Sequence, residues 1–161
     1  MFMKIRIICV GKIKEKYLKD AIAEYVKRLS RFCKLEVCEL PDIKIPDNPS
    51  PSECTELLRA EGESILKHLS KDSYVISLCV EGKQISSEDL ADKLASVTLS
   101  GKSTIDFVIG GSLGLSDEVK KRSDMRLSFS LFTFPHQLMR LILTEQIYRA
   151  FKINANEEYH K

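Results

Sequence analysis

Apolar residues along the chain follow two alternating rhythms. Short apolar or alternating runs at 4–10 (KIRIICV), 34–40 (KLEVCEL), 73–80 (SYVISLCV), 104–109 (TIDFVI) and 125–130 (MRLSFS) each predict a β-strand. Between them the spacing turns helical. Leu18, Ile22, Tyr25, Val26 and Leu29 share one face of a helix predicted over 14–30. Ser50-Pro51-Ser52-Glu53 pairs a serine cap with a glutamate three positions on and proline at the first helical position. That helix is predicted to run to about His68, with Leu58, Ile65 and Leu69 inward. Ser86 and Ser87 cap a third helix that uses Leu90, Leu94 and Val97, and Ser116-Asp117-Glu118 cap a short fourth. Pro135 opens a fifth, in which Leu138, Leu141, Ile142, Tyr148 and Phe151 follow helical spacing.

The breaks between elements have their own chemistry. Gly11 and Gly101 end elements, Glu81-Gly82-Lys83 predicts a turn, and residues 131–134 predict a loop. Pro41, Pro46, Pro49 and Pro51 make 41–50 an irregular connection. Strands alternating with helices predict an α/β fold, a mostly parallel sheet flanked by helices. A length of 161 residues without repeats or a linker predicts a single domain over 1–161.

Composition changes this picture little. At 43% hydrophobic and 30% charged the chain can build a core and solvate its surface, which excludes a disordered class. No apolar run has the length of a membrane span, and the N-terminus lacks the features of a signal peptide, so a cytoplasmic protein with no membrane partner is expected. The five cysteines are irregularly spaced and predict neither a disulfide framework nor a metal site. Charge is more informative. Residues 1–40 carry ten Lys/Arg against five Asp/Glu, residues 41–119 seven against fourteen, and residues 120–161 eight against four. Basic ends that met in the fold would form a face suited to phosphates, whereas separate ones would simply solvate separate helices.

Candidate chemistry concentrates late in the chain. Gly101-Lys102-Ser103-Thr104 resembles the end of a phosphate-binding loop, but it follows a helix and precedes a strand, the reverse of what such a loop requires. Gly110-Gly111-Ser112-Leu113-Gly114 lies at the carboxyl end of a strand, where open α/β sheets bind ligands. Its spacing is not that of a dinucleotide fingerprint, which disfavours a nicotinamide oxidoreductase. His136 and Arg140 share a helix face, as do Glu145 and Arg149, the latter pair reading equally as a surface ion pair. Tyr159-His160-Lys161 reads as a frayed terminus or as groups that stack on a base and pair with phosphate. No nucleophilic triad or metal-ligand cluster stands out, and His68 has no suitable neighbours in its helix. That scarcity fits an enzyme whose cofactor arrives already activated.

Five segments together carry a resemblance. Phe107-Val108-Ile109-Gly110-Gly111-Ser112-Leu113-Gly114-Leu115, Leu127-Ser128-Phe129-Ser130, Thr133-Phe134-Pro135-His136-Gln137-Leu138-Met139-Arg140, Glu145-Gln146-Ile147-Tyr148-Arg149-Ala150 and Tyr159-His160-Lys161 are similar to the family of ribosomal RNA large subunit methyltransferase H, of the SPOUT class. Cys9-Val10-Gly11-Lys12 and the run from Leu18 to Leu29 fit it too. The resemblance implies a SPOUT (alpha/beta knot) methyltransferase fold with a C-terminal trefoil knot over about 105–161, a feature that periodicity could not have suggested. It also implies a homodimer, S-adenosyl-L-methionine as cofactor, no metal, and methylation of N3 of pseudouridine-1915 in 23S rRNA of assembled ribosomes.

By position, the resemblance puts the cofactor against Leu78, Gly110, Gly111 and the stretch Phe129, Ser130, Leu131, Phe132, Thr133 and Phe134. It makes Tyr159 and His160 the groups that hold the target base, His160 also a candidate for removing its N3 proton, and Arg149 their companion at the catalytic end. Arg149, Lys12, Lys14 and Lys16 are the expected phosphate contacts. The chain departs from the family in its tail. Asn156 stands where glycine is usual, and Glu158 where proline or a small residue is usual. Asparagine tolerates the left-handed conformation better than most residues, which would preserve the turn. The alternative reading on the same fold is a non-catalytic ribosome-binding or assembly factor.

Overall fold

The computed structural model describes residues 2–160, so Met1 and Lys161, the last residue of the tail motif, lie outside it. The elements run β1 (Lys4–Val10), α1 (Lys16–Leu29), β2 (Lys34–Leu40), α2 (Pro51–His68), β3 (Tyr74–Gln84), α3 (Ser87–Leu99), β4 (Thr104–Ile109), α4 (Asp117–Arg122), β5 (Met125–Ser128) and α5 (His136–Asn154). All strand pairs are parallel, in the order β2-β1-β4-β3-β5. Every strand therefore ends at the same edge of the sheet, and that edge gathers the loops after β1, β3, β4 and β5.

Period-two alternation sends the two faces of the sheet to different partners. Ile5, Ile7, Ile76, Ile105 and Phe107 pack with α1, α3 and α5 on one face. Ile8, Val10, Val75 and Val108 pack with α2 and α4 on the other. The helix starts follow the sequence closely. Ser50 and Ser86 each form a reciprocal capping box, with Glu53 and Asp89, and Ser116 accepts from the Val119 amide. Among the described residues no helix is long and apolar enough to cross a membrane. All five cysteines are unpaired, and burial pushes the Cys9 and Cys33 thiols up to about 11 and about 12.

The structure corrects four expectations. There is no turn at Glu81-Gly82-Lys83: β3 continues through it, and its pairing with β5 breaks register between Leu78 and Lys83. Gly82 makes this possible, because a Cβ there would stand 2.8 Å from backbone carbons of both Arg126 and Leu127. The two main chains approach with no room for a side chain between them. β5 stops at Ser128 rather than Ser130, since Ser130 is used in a local turn, its Oγ accepting from the Phe132 amide at 3.1 Å. Leu58 is only half-buried and belongs to no core cluster. In α5, Leu138 is exposed while Met139, Leu143, Ile147 and Ala150 are buried, because this helix packs against both α1 and α3.

Two buried arginine networks fasten the layers. Arg6 on β1 makes a bidentate pair with Asp106 on β4, both contacts at 2.8 Å, and Asp106 also accepts from Ser73 Oγ at 2.7 Å and the Ser70 amide at 3.0 Å. Arg140 of α5 is 1% exposed. It donates to the carbonyls of Val10 at 2.7 Å and Gly11 at 2.9 Å and pairs with Glu39 at 3.0 Å. Glu39 in turn accepts from the Ile13 amide at 2.7 Å. Removing Arg6 strands a fully buried carboxylate. Arg6→Met is expected to lower the free energy of unfolding by about 3 kcal/mol in a urea titration.

Candidate functional site

The stretch 78–81 within β3, the loops after β4 and β5, and the start of α5 enclose a cleft of about 440 Å³. This size is typical of small-molecule sites. Its floor is apolar, formed by Leu78, Ile109, Leu115, Leu127 and Met139 among others. The turn Gly110–Gly114 forms one wall, closed by a hydrogen bond from the Gly114 amide to the Gly111 carbonyl at 3.0 Å. Gly110 has no space for a side chain: a Cβ would stand 2.5 Å from the Gly114 carbonyl oxygen and 2.8 Å from Leu115 Cδ2.

Of the residues that the sequence assigns to the cofactor, Leu78, Gly110, Gly111, Phe129, Ser130, Phe132, Thr133 and Phe134 all line this one cleft. Leu131 does not, and is 77% exposed. Sequence reasoning passed over Glu81 and Lys120, which form an ion pair of 2.5 Å at the cleft and supply charges of both signs. The pairing of His136 with Arg140 dissolves. His136 lines the cleft, where burial and the nearby Arg140 charge hold its imidazole below the usual histidine range. Arg140 faces the other way, into the β1 and β2 ends.

Arg149, Tyr159 and His160 come together as a second group, separate from the cleft within one chain. Glu145 organises it. Glu145 Oε1 accepts from Arg149 Nη2 at 2.6 Å and from the Tyr159 hydroxyl at 3.0 Å. Arg149 also lies over the Tyr159 ring, 4.7 Å from its centre. Burial, with Tyr25 and Glu145 alongside, raises the Tyr159 phenol above its usual range, so it stays neutral and acts as a donor. Arg149 Nη1 is 3.1 Å from His160 Nδ1. A guanidinium can only donate, so Nδ1 is the acceptor and the ring proton sits on Nε2, which donates to Glu88 at 2.5 Å. Glu145 and Glu88 were invisible as site residues in sequence, the first because it read as half of an ordinary helical ion pair.

The unusual tail keeps its turn. Asn156 adopts the left-handed conformation at φ +54°, and the Glu157 amide bonds the Lys152 carbonyl at 3.0 Å. Glu157 is held by Arg31 and Lys152, which keep its carboxyl down at about 2. The basic ends of the chain also meet. α1 packs on α5, Arg31 from one end and Lys152 from the other share Glu157, and the Lys14 amide donates to Gln137 at 3.0 Å.

Comparison with known proteins agrees with this geometry. The family described as "Predicted SPOUT methyltransferase" matches residues 3–160. Proteins named ribosomal RNA large subunit methyltransferase H from Clostridium novyi and Streptococcus thermophilus are 60% and 58% identical, over 99% of this chain and 100% of theirs. Among solved structures, a probable methylase family protein from Haemophilus influenzae shares the fold with a TM-score of 0.54 at 17% identity, over 100% of this chain and 72% of that one. A parallel sheet with a glycine-turned cleft at its carboxyl edge, matched end to end at this identity, leaves one assignment: the chain belongs to the SPOUT methyltransferases, in the family of ribosomal RNA large subunit methyltransferase H.

Proposed function

We propose that this chain is a homodimeric, cytoplasmic methyltransferase that transfers a methyl group from S-adenosyl-L-methionine to N3 of pseudouridine-1915 in 23S rRNA of assembled ribosomes. The observation that carries the reading is the convergence of eight of the nine expected cofactor residues on one cleft. The cleft suits the cofactor: its volume is adequate, its floor is apolar enough for an adenine, and the backbone of Gly110 and of 129–134 is at the wall. We take the chain as a single domain knotted over about 105–161, which its membership of the SPOUT family implies.

The cofactor supplies a methyl group already activated by its sulfonium, so the protein's work is binding and orientation. Gly110, Gly111 and the 129–134 loop hold it through main-chain groups. Tyr159 and His160 hold the base. In the isolated chain both His160 nitrogens are engaged, so taking the N3 proton requires Nδ1 to part from Arg149. Glu145 lies nine residues beyond His136 on α5, roughly 14 Å along the axis. The tail therefore serves the cleft of a second copy. Exposed Tyr17, Leu131, Phe132 and Leu138 are apolar surface available to such a dimer. Lys12, Lys14 and Lys16 take phosphates.

Methyl transfer from labelled cofactor to intact ribosomes, with free 23S rRNA as control and nucleoside analysis of the product, tests the whole reading. Label on N3 of pseudouridine from ribosomes alone is expected. A chain that binds ribosomes but takes up no cofactor would instead be an assembly factor. Gly110→Ala is expected to weaken cofactor binding about tenfold or more, because its new Cβ meets a main-chain oxygen that cannot yield. His160→Ala is expected to slow methyl transfer by about a hundredfold with cofactor affinity unchanged; a wild-type rate would remove both roles given to that residue. Replacing Lys12, Lys14 and Lys16 together with alanine is expected to reduce the salt slope of ribosome binding by up to about three, and an unchanged slope would return them to the solvated surface.

A further inference from the structure

Helix α2 contributes no residue to the cleft, yet it grips the glycine turn that does. Its outer half is solvated, and its inner half buries Glu61, Gly62 and Ile65. Glu61 is 8% exposed, and its Oε1 accepts from the Gly111 amide at 2.9 Å. The fit is close: a Cβ on Gly111 would stand 2.8 Å from Glu61 Oε2. One residue on, a Cβ on Gly62 would stand 2.2 Å from Ser116 Oγ, the cap of α4. Consecutive positions of α2 thus hold both ends of the segment 111–116, one with a carboxylate and one with the absence of a side chain.

A buried carboxylate is costly, and here burial, then the neighbouring Asp42, push its carboxyl up, while only the Gly111 hydrogen bond pulls it down. Packing alone would be served better by an apolar residue. The contact has a directional consequence instead. The amide that Glu61 holds belongs to the Gly110–Gly111 peptide plane, and in a trans peptide the N–H and C=O point in opposite directions. Holding the Gly111 N–H toward α2 turns the Gly110 carbonyl away from α2.

We propose that Glu61 is a positioning residue of the methyltransferase: it fixes the Gly110–Gly111 peptide plane so that the Gly110 carbonyl is presented to a donor group of the cofactor. The proposal rests on reading the cleft as the S-adenosyl-L-methionine site. A site supported from behind by a fixed hydrogen bond holds its geometry better than a free loop.

Three variants test it by calorimetric titration with S-adenosyl-L-methionine and by steady-state methylation of ribosomes. Glu61→Gln keeps an acceptor at the same reach, whereas Glu61→Asp keeps the charge but withdraws it by one methylene. Glu61→Ala removes both. Glu61→Gln is expected within about twofold of wild type, and Glu61→Asp and Glu61→Ala to bind the cofactor about tenfold more weakly, with KM for the cofactor raised and kcat at saturation nearly unchanged. If Glu61→Ala does not fold, the Asp and Gln variants decide alone. Equal loss in Asp and Gln, or wild-type affinity in Asp, overturns the proposal while leaving the cofactor site standing. A wild-type chain that takes up no cofactor overturns both.

Discussion

One buried guanidinium holds the working edge of this molecule together. Arg140 sits in the first turns of α5, removed from water, with two strand-end carbonyls and the Glu39 carboxylate as partners. Its Nε finds no partner among the described residues, so the site is held at some cost. A lysine could not replace it, because the carbonyls and the carboxylate are met by separate nitrogens of one planar fork. Through this contact the start of α5 is fixed against the ends of β1 and β2. His136 and Met139 thereby reach the cleft, and the loop with Lys12 and Lys14 is held against the start of α5 through Glu39 and Gln137. Glu145 and Arg149 follow further along the same rod.

The sheet gives this arrangement its logic. With five parallel strands, every carboxyl end faces one edge, and ligand-binding loops have nowhere else to collect. The division of labour is then electrostatic. The cleft is apolar with one ion pair at its rim, suited to a cofactor that is held by shape and main chain. The tail cluster is polar, with the Arg149 guanidinium between the Glu145 carboxylate and the His160 ring.

Much of the fold was legible because strands and capped helices announce themselves locally. Ser50, Ser86 and Ser116 each cap the helix expected of them, and all five strands begin within a residue of the apolar run that predicts them. The place of the glycine turn at the cleft was legible from its position after a strand. What sequence missed depended on distant partners. Gly82 looks like a turn until the main chain of β5 is found pressed against it. Glu61 looks like any glutamate on a solvated helix, since nothing nearby in sequence marks position 111 as its neighbour. α5 is packed on two sides, so its apolar spacing could not say which side mattered, and Leu138 was placed inward for that reason. The tail was legible only through family likeness; Asn156 takes the left-handed turn its residue type allows, and the structure adds an ion-paired Glu157 that holds its course.

Arg140 also bears on how the protein comes into being. It bonds residues 129 and 130 positions earlier in the chain, and His160 bonds Glu88, 72 positions back. β1, at the start of the chain, is completed only by β4, a hundred residues later. Contacts of such long range form slowly, and a chain still being synthesised lacks most of them. The cleft and the tail cluster both draw on α5, so a chain without it would keep all five strands but lose His136 and Met139 from the cleft and Glu145 and Arg149 from the cluster. Both groups therefore wait on the docking of α5.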